Sequence, residues 1–324
     1  MNTGRETRKM PTKFPRLDPL DVKIIESLGI YGPRNINRIA RELGINLETI
    51  RFRMNRMSSL FRLGMHASVY HTNLGLKKVI VFVEAMPGKE DLLFECLKVN
   101  SFYVYLSRVY GPFEGCFGIY TIPIDHYTEI IKFFKEIQKL GVAKSISFYP
   151  STCFHTINHT AKWYDGDSQK WMFPWDEWIK EILTQSTSLP YTLIDPETWP
   201  MNADDLDLLI LKELEKDATI SLTKIAEIFK TTPQNIKYHY QKHIIERGLI
   251  EKYQITIWPF HRKGAFILWF IFRFEDPEKM AKFASALMDK IFANSLGKIL
   301  NQNALIAQIY LPTSEFRYFI DCLS

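Results

Sequence analysis

The sequence predicts an α+β chain in which one composite unit, helices first and a small sandwich of strands and helices second, is used twice. Three observations carry this. At 324 residues the chain is about twice the length of a typical domain of roughly 150 residues. Two stretches share one pattern at a constant offset of 186 positions. Leu20-Asp21, Ile24-Ile25, Leu28 and Ile36-Asn37-Arg38-Ile39-Ala40 return as Leu206-Asp207, Ile210-Leu211, Leu214 and Leu222-Thr223-Lys224-Ile225-Ala226. The register runs on without a gap to Ile50/Ile236 and Leu63/Leu249, as expected of a repeated supersecondary unit. After each stretch the hydrophobic period falls from helical to two, the mark of a half-buried strand.

Each element follows from local chemistry. Leu20, Ile24 and Leu28 place one apolar stripe on a first helix, and a second, short helix covers about 36–43. Gly44 turns the chain where a left-handed backbone is needed, and Asn46 caps a third helix reaching about Leu60. In the second unit Thr232 is the cap and Pro233 takes the first helical position, where its missing N–H is not needed. Short strands follow at 65–70 and 252–257. Helix, helix, turn, helix, strand is the order of a winged helix-turn-helix, whose last helix enters the major groove. Strands at 79–85, 103–110, 116–122 and 145–149 then alternate with helices at 90–99 and 127–140, the βαββαβ order of a ferredoxin-like domain. The second unit repeats strand 266–274, helix 277–292, strand 298–300, strand 305–311 and helix 313–323, and lacks the last strand, which leaves an open edge that a segment of the connector or of a second chain is expected to fill. The expected divisions are a basic arm at 1–16, winged units at 17–72 and 201–258, ferredoxin-like domains at 73–150 and 259–324, and a connector at 151–200.

Composition narrows the class. Apolar residues make up 46% and charged residues 24%, ordinary globular shares. No apolar run nears the roughly 18 residues of a membrane span, and the basic N-terminus lacks the apolar stretch of a signal peptide. Four scattered cysteines (Cys96, Cys116, Cys153, Cys322) make neither a disulfide framework nor a tetracysteine zinc site, and a reducing cytoplasm is expected. The formal charge of +5 permits nucleic-acid binding without demanding it.

A winged helix-turn-helix followed by a βαββαβ domain resembles the Lrp/AsnC (feast/famine) family of transcription regulators, here in a tandem form. Leu17-Asp18-Pro19-Leu20-Asp21 is similar to that family's start, and Gly44-Ile45-Asn46 through Met57 to its recognition-helix segment. Gly111-Pro112-Phe113-Glu114 resembles its Gly-x-Tyr-Asp sensor motif. The resemblance implies a RAM-type sensor domain, double-stranded DNA as partner, and a homodimer or higher homo-oligomer joined through the sensor sheets; in a tandem chain those sheets pair either between chains, as in the single-copy family, or within one chain as a pseudo-dimer. It also implies an amino-acid-like effector held near Gly111, Phe113 and Glu114, with Glu114 receiving an amino group. The bland alternative is a tight strand connection with Glu114 in solvent. No cofactor, metal or catalytic residue is expected.

On a helical wheel, Ile50, Met54 and Met57 face the core. Glu48, Phe52 and Asn55 point outward, with Thr49 and Arg56 beside them and Arg51 and Arg53 on the flanks. In the second unit Ile236, Tyr240 and His243 face inward, Gln234, Tyr238, Gln241 and Lys242 outward, and Asn235, Lys237 and His239 beside. An outward ring can meet a thymine methyl, and Asn or Gln can pair with adenine, while Arg and Lys neutralise phosphates. The competing reading of Phe52 and Tyr238 is packing on a neighbouring domain. Between Arg34 and Arg62 seven arginines face two glutamates, whereas between Leu206 and Lys252 eight Lys/Arg face seven acids. The first unit is therefore expected to supply most of the salt-dependent affinity. The arm either lies along DNA or is a solvated end.

The connector holds five of the seven tryptophans (Trp163, Trp171, Trp175, Trp178, Trp199), too much aromatic surface to leave in water, and is expected to dock on a sensor domain. Two metal-like patterns read as incidental. Cys153-x-His155-x-x-x-His159 offers only three ligands, and His239/His243 at i, i+4 lack a metalloprotease glutamate. One enzyme alternative remains. Sirohaem decarboxylases resemble the same fold, but their Arg-x-His-x-Tyr-Asn-like stretch is matched here only by Arg108.

Overall fold

A computed structural model describes residues 16–111, 113–184, 187–260 and 264–324. Helix α1 (Pro19–Tyr31) starts at Asp18, whose carboxylate accepts from Leu20 N and Asp21 N, while Asp21 accepts in return from Asp18 N. This reciprocal box satisfies donors that a helix start leaves unpaired. Helix α2 (Ile36–Leu43) ends at Gly44 with φ 65°, and Asn46 caps α3 (Leu47–Phe61) by accepting from Thr49 N at 2.7 Å. Strand β1 (Gly64–Val69) follows.

The first sandwich comprises β2 (Leu76–Ala85), α4 (Glu90–Lys98), β3 (Tyr103–Val109), β4 (Gly115–Pro123), α5 (Tyr127–Lys139) and β5 (Ala143–Ser151). Its antiparallel sheet runs β3-β4-β2-β5, a split βαβ arrangement. Leu93, Leu97, Ile130 and Phe134 seal one face from the two helices.

The connector contributes β6 (His155–Thr156), a small β7 (Tyr164–Asp165) and β8 (Lys170–Trp171) ribbon, and α6 (Trp175–Thr184). Then come α7 (Asp205–Lys216), α8 (Leu222–Ile228), α9 (Pro233–Tyr238), a π-helical turn over His239–Ile245, and β9 (Ile250–Thr256). The expected continuous recognition helix is thus broken: from His239 the turn widens, so the 100° wheel no longer places its side chains. The second sandwich holds β10 (Ala265–Arg273), α10 (Pro277–Leu287), β11 (Ala293–Lys298), β12 (Ala304–Pro312) and α11 (Phe316–Asp321). Helix α10 ends earlier than expected and β11 starts earlier. The turn between them lets Lys290, almost fully buried, reach Glu181 of α6 and neighbouring Asp289, and puts Phe292 and Leu296 in the core.

Two arrangements depart from the local reading. The strands expected as separate wings pair with each other. β1 and β9 run antiparallel from Gly64↔Thr256 to Val69↔Ile250, and each feeds the other unit. Ala67 and Val69 are buried among α7, α8 and α9, while Ile255 and Ile257 are buried with Ile24, Ile25 and Ile50. Arg34 strengthens the junction, donating to Ala218 O and Ile220 O and lying over the Tyr240 ring.

The second departure concerns the open edge of the second sheet. Its order is β10-β12-β11-β6, so the connector does supply a fourth strand, but beside β11 and not beside β10, where the missing last strand would lie. The connector also covers this sandwich: Trp178 and Leu193 are fully buried in its core, with Trp178 stacked on Phe319. The two sheets meet face to face within the chain through Ile80, Phe117, Ile119 and Ile306, with Phe117 stacked on Trp269 at 4.5 Å between ring centres. Of the two pairings open to these sheets, the one within a single chain is formed.

Because Ile255 belongs to one unit by sequence and to the other by packing, Ile255→Ala is expected to cost about 2–4 kcal/mol. Urea unfolding should show one transition shifted for both helical units. Two separate transitions would mean that they unfold independently.

Candidate nucleic-acid interface

The outward face of α3 is open. Phe52 is 69% exposed, and Glu48, Arg51 and Asn55 stand beside it in solvent. Arg51 donates to Glu48 at 2.6 Å across one turn, an exposed pair that a phosphate can replace. Thr49 is half-buried through its backbone place at the cap. On α9 and the π turn Tyr238 is 55% exposed, with Gln234, Lys237, Gln241 and Lys242 around it. Thr232 caps α9 by accepting from Asn235 N, and Asn235 turns its amide to Thr231 Oγ1 at 3.3 Å. Lys242 donates to Glu246 at 2.6 Å. Among the described residues neither ring enters a buried cluster, and Tyr238 meets only His239 and His243 of its own head edge-on.

Arg53 and Arg56 do not join this face as expected. Arg53 donates to Asp18 at 2.5 Å and to Asp21 at 2.9 Å, and Arg56 donates to Asp21. Asp21 is fully buried, so its charge needs a cation at hand, and the wheel's flanking positions are drawn inward to provide it. Burial alone would raise the Asp18 pKa, but the hydrogen bond from Arg53, the backbone donors and the guanidinium charge outweigh it and hold the carboxyl below its usual range.

The second unit builds the same corner differently. Asp204 and Asp207 form the reciprocal box at the start of α7, with both N–H···O distances 3.0 Å, and Asp207 is again fully buried. Facing it are two imidazoles. His239 Nδ1 lies 2.8 Å from Asp207 Oδ1, and His243 Nδ1 3.1 Å from Asp207 Oδ2. His239, placed beside the groove face by the wheel, is thus turned inward by the π turn. Burial raises the Asp204 pKa, but the backbone donor at Asp207 and the facing histidines bring the net shift below the usual value. The sequence carried a signal for this corner: the acid-x-x-acid box recurs at offset 186, and His239 falls where the first unit has Arg53.

The sensor loop is open. Gly111 and Glu114 are exposed, Phe113 is half-buried, and a Cβ on Gly111 would meet nothing within 4 Å. Pro112 and the arm up to residue 15 lie outside the described residues. In the second unit the matching loop is engaged from within: Asp195 of the connector accepts from Lys298 at 2.7 Å and from Asn301 N. The Cys153, His155, His159 pattern does not converge. Cys153 meets Thr72, His155 meets Thr192 and Glu251, and burial pushes His159 down to about 4 beside Trp171. No helix among the described residues is long and apolar enough to cross a membrane.

The family model described as winged helix-turn-helix DNA-binding matches residues 204–242, the second helical unit. The chain is similar to the HTH-type transcriptional regulator Ptr1 of Methanocaldococcus jannaschii, at 28% identity over 137 residues, 41% of this chain and 83% of that protein. Among solved structures, E. coli AsnC superposes with a TM-score of 0.34 at 18% identity over 41% of this chain and 91% of its own. The siroheme decarboxylase NirDL, in co-complex with an iron-uroporphyrin III analogue, superposes with a TM-score of 0.51 at 10% identity. That match spans 94% of this chain and 86% of the other, a likeness of fold alone. The chain is similar to HTH-type transcriptional regulators and carries a winged helix-turn-helix match.

Removing Arg53 strips the corner of one of its two cations. Arg53→Ala is expected to cost about 3 kcal/mol or more, since a buried carboxylate is left short of a partner. The lowered Asp18 pKa contributes stability that is complete above the ordinary carboxylate value of about 3.9 and lost as pH falls through the lower folded value. Denaturant titrations in acid should therefore show a shallower loss for Arg53→Ala than for the parent chain.

Proposed function

We propose that this chain is a DNA-binding transcription regulator whose two helix-turn-helix heads, one from each copy of a duplicated unit, are held at a fixed separation. The observation that carries the reading is the exposed ring of Phe52 on α3, set among Arg51 and Asn55 and kept in water without a packing partner. Tyr238 with Gln241 and Lys237 repeats that composition on the second head. The similarity to Ptr1 and the winged-helix match over 204–242 support it.

Each ferredoxin-like domain follows its head, and the two sheets close on one another as a pseudo-dimer inside one chain. Homo-oligomers would then form through another surface. An amino-acid-like effector at Gly111, Phe113 and Glu114 belongs to the same proposal. Of the first head's seven arginines, Arg34, Arg53 and Arg56 serve the protein's own carbonyls and carboxylates, leaving Arg38, Arg41, Arg51 and Arg62 for phosphates. With Lys237 and Lys242 on the other side, the first head still leads.

A second reading has one observation in its favour. The full two-unit architecture matches that of NirDL, and a cleft of about 730 Å³ opens between the first head, the connector and the second sandwich, lined by Tyr164, Trp171, Phe173 and Phe260. Against tetrapyrrole chemistry, Arg108 is turned to Asp91 and no histidine follows it. Mixing with an iron tetrapyrrole and recording the visible spectrum separates the two readings.

Fluorescence anisotropy on a duplex from upstream of the chain's own gene, with a salt titration, tests the first. Arg51→Ala is expected to reduce the salt slope by about 1, and Asn55→Ala to cost about 1–3 kcal/mol on the preferred sequence only. Lys237→Ala and Gln241→Ala should have smaller effects of the same kinds. Absence of binding to this duplex and to random DNA at low salt would sink the regulator reading.

A further inference from the structure

The corner at the base of the second head gathers four potential metal-ligating side chains where the first head places two aspartates and two arginines. In the first head two aspartates face two guanidiniums, which carry their charge at any pH the protein meets. In the second head the corresponding aspartates, Asp204 and Asp207, face the ring nitrogens of His239 and His243, which are metal-ligating atoms where guanidiniums are not. Asp207 is fully buried and both histidine side chains are only 13% exposed, so these donors are largely shielded from water.

We propose that Asp204, Asp207, His239 and His243 form a binding site for a divalent transition-metal ion of the zinc type. A doubly charged cation would balance the two carboxylates as the two arginines do in the first head. The four donor atoms already lie within 4.8 Å of one another. His239 Nδ1 stands 2.8 Å from Asp207 and 3.6 Å from Asp204, and His243 Nδ1 3.1 Å and 3.4 Å from the same two. Bonds of about 2.0–2.1 Å in a tetrahedron place ligand atoms about 3.3–3.4 Å apart, which is the middle of that range. Two nitrogens and two carboxylate oxygens suit zinc or cobalt better than calcium or magnesium, which favour oxygen alone.

At i, i+4 the two histidines share one face of the helix, and the π turn over His239–Ile245 carries that face to the start of α7, where both Nδ1 atoms meet one carboxylate. Such turns recur at functional sites. A metal bond at Nδ1 requires that atom to be free of its proton: a doubly protonated ring releases that proton to solvent, and a neutral ring carries its one proton on Nε2, so in either case the Nε2–H remains as a donor. The ion would pin the turn carrying Tyr238 and Gln241 to the start of α7. The site itself is tested without DNA, so its failure is separate from that of the regulator reading.

The test is a titration of the full chain with Co²⁺ near pH 7.5, read by visible absorbance and followed by displacement with Zn²⁺. One equivalent of cobalt is expected to give the intense band of a four-coordinate ion, and zinc to erase it. Circular dichroism should show zinc raising the melting temperature. His239→Gln/His243→Gln is expected to abolish the band, and Asp204→Asn, which keeps a competent helix cap, to weaken binding at least tenfold. His239→Arg, which installs the first head's fixed charge, should fold and lose its response to zinc. Absence of the band, or a band that survives the double histidine substitution, overturns the proposal.

Discussion

Everything about the relative placement of the heads depends on one antiparallel ladder, β1 with β9. A single strand at the end of a three-helix unit has unpaired N–H and C=O groups along both edges and an apolar face without a cover. Pairing the two strands settles part of both deficits at once, because the apolar residues of the ladder divide along its length, with Met65, Ile255 and Ile257 in the first helical core and Ala67, Val69 and Ile250 in the second. Separating the heads would therefore open the cores of both. Arg34, reaching from the first head to Ala218 O and Ile220 O, adds a charge-assisted clamp at the same seam.

The sandwiches are joined by a different logic. Each sheet has helices on one face only, and the other face of each closes on its counterpart around Phe117 and Trp269. The connector makes the second, shorter sandwich viable. It lays Trp178 beneath α10 and adds β6 beside β11, while Asp195 reaches the loop after β11. A segment that links two units by sequence thus acts as part of one unit by packing.

The corner beneath each recognition helix shows how a capping device sets a later constraint. The Asp-x-x-Asp box is a local solution to a helix start, but burying its second carboxylate creates a demand for positive charge from another helix. The first head meets that demand with Arg53 and Arg56, at the cost of removing them from the outward face. The second meets it with His239 and His243 and a widened turn. The outward-facing composition of each head is therefore partly decided by what its own interior consumes.

The sequence by itself determined the elements and their order. The 186-residue register, the caps at Asn46 and Thr232, and the exposure of Phe52 and Tyr238 were legible because helix starts, turns and apolar stripes depend on residues a few positions apart. It misplaced the end of α10 and missed the π turn, where tertiary partners outweigh local periodicity. The partner of each wing strand, the edge that β6 joins, the internal closure of the sheets and the inward turn of Arg53, Arg56 and His239 were decided only in the tertiary structure. Each joins residues more than 30 positions apart, and the forces involved, burial of apolar faces and neutralisation of a buried carboxylate, act through space and leave no short-range pattern to read.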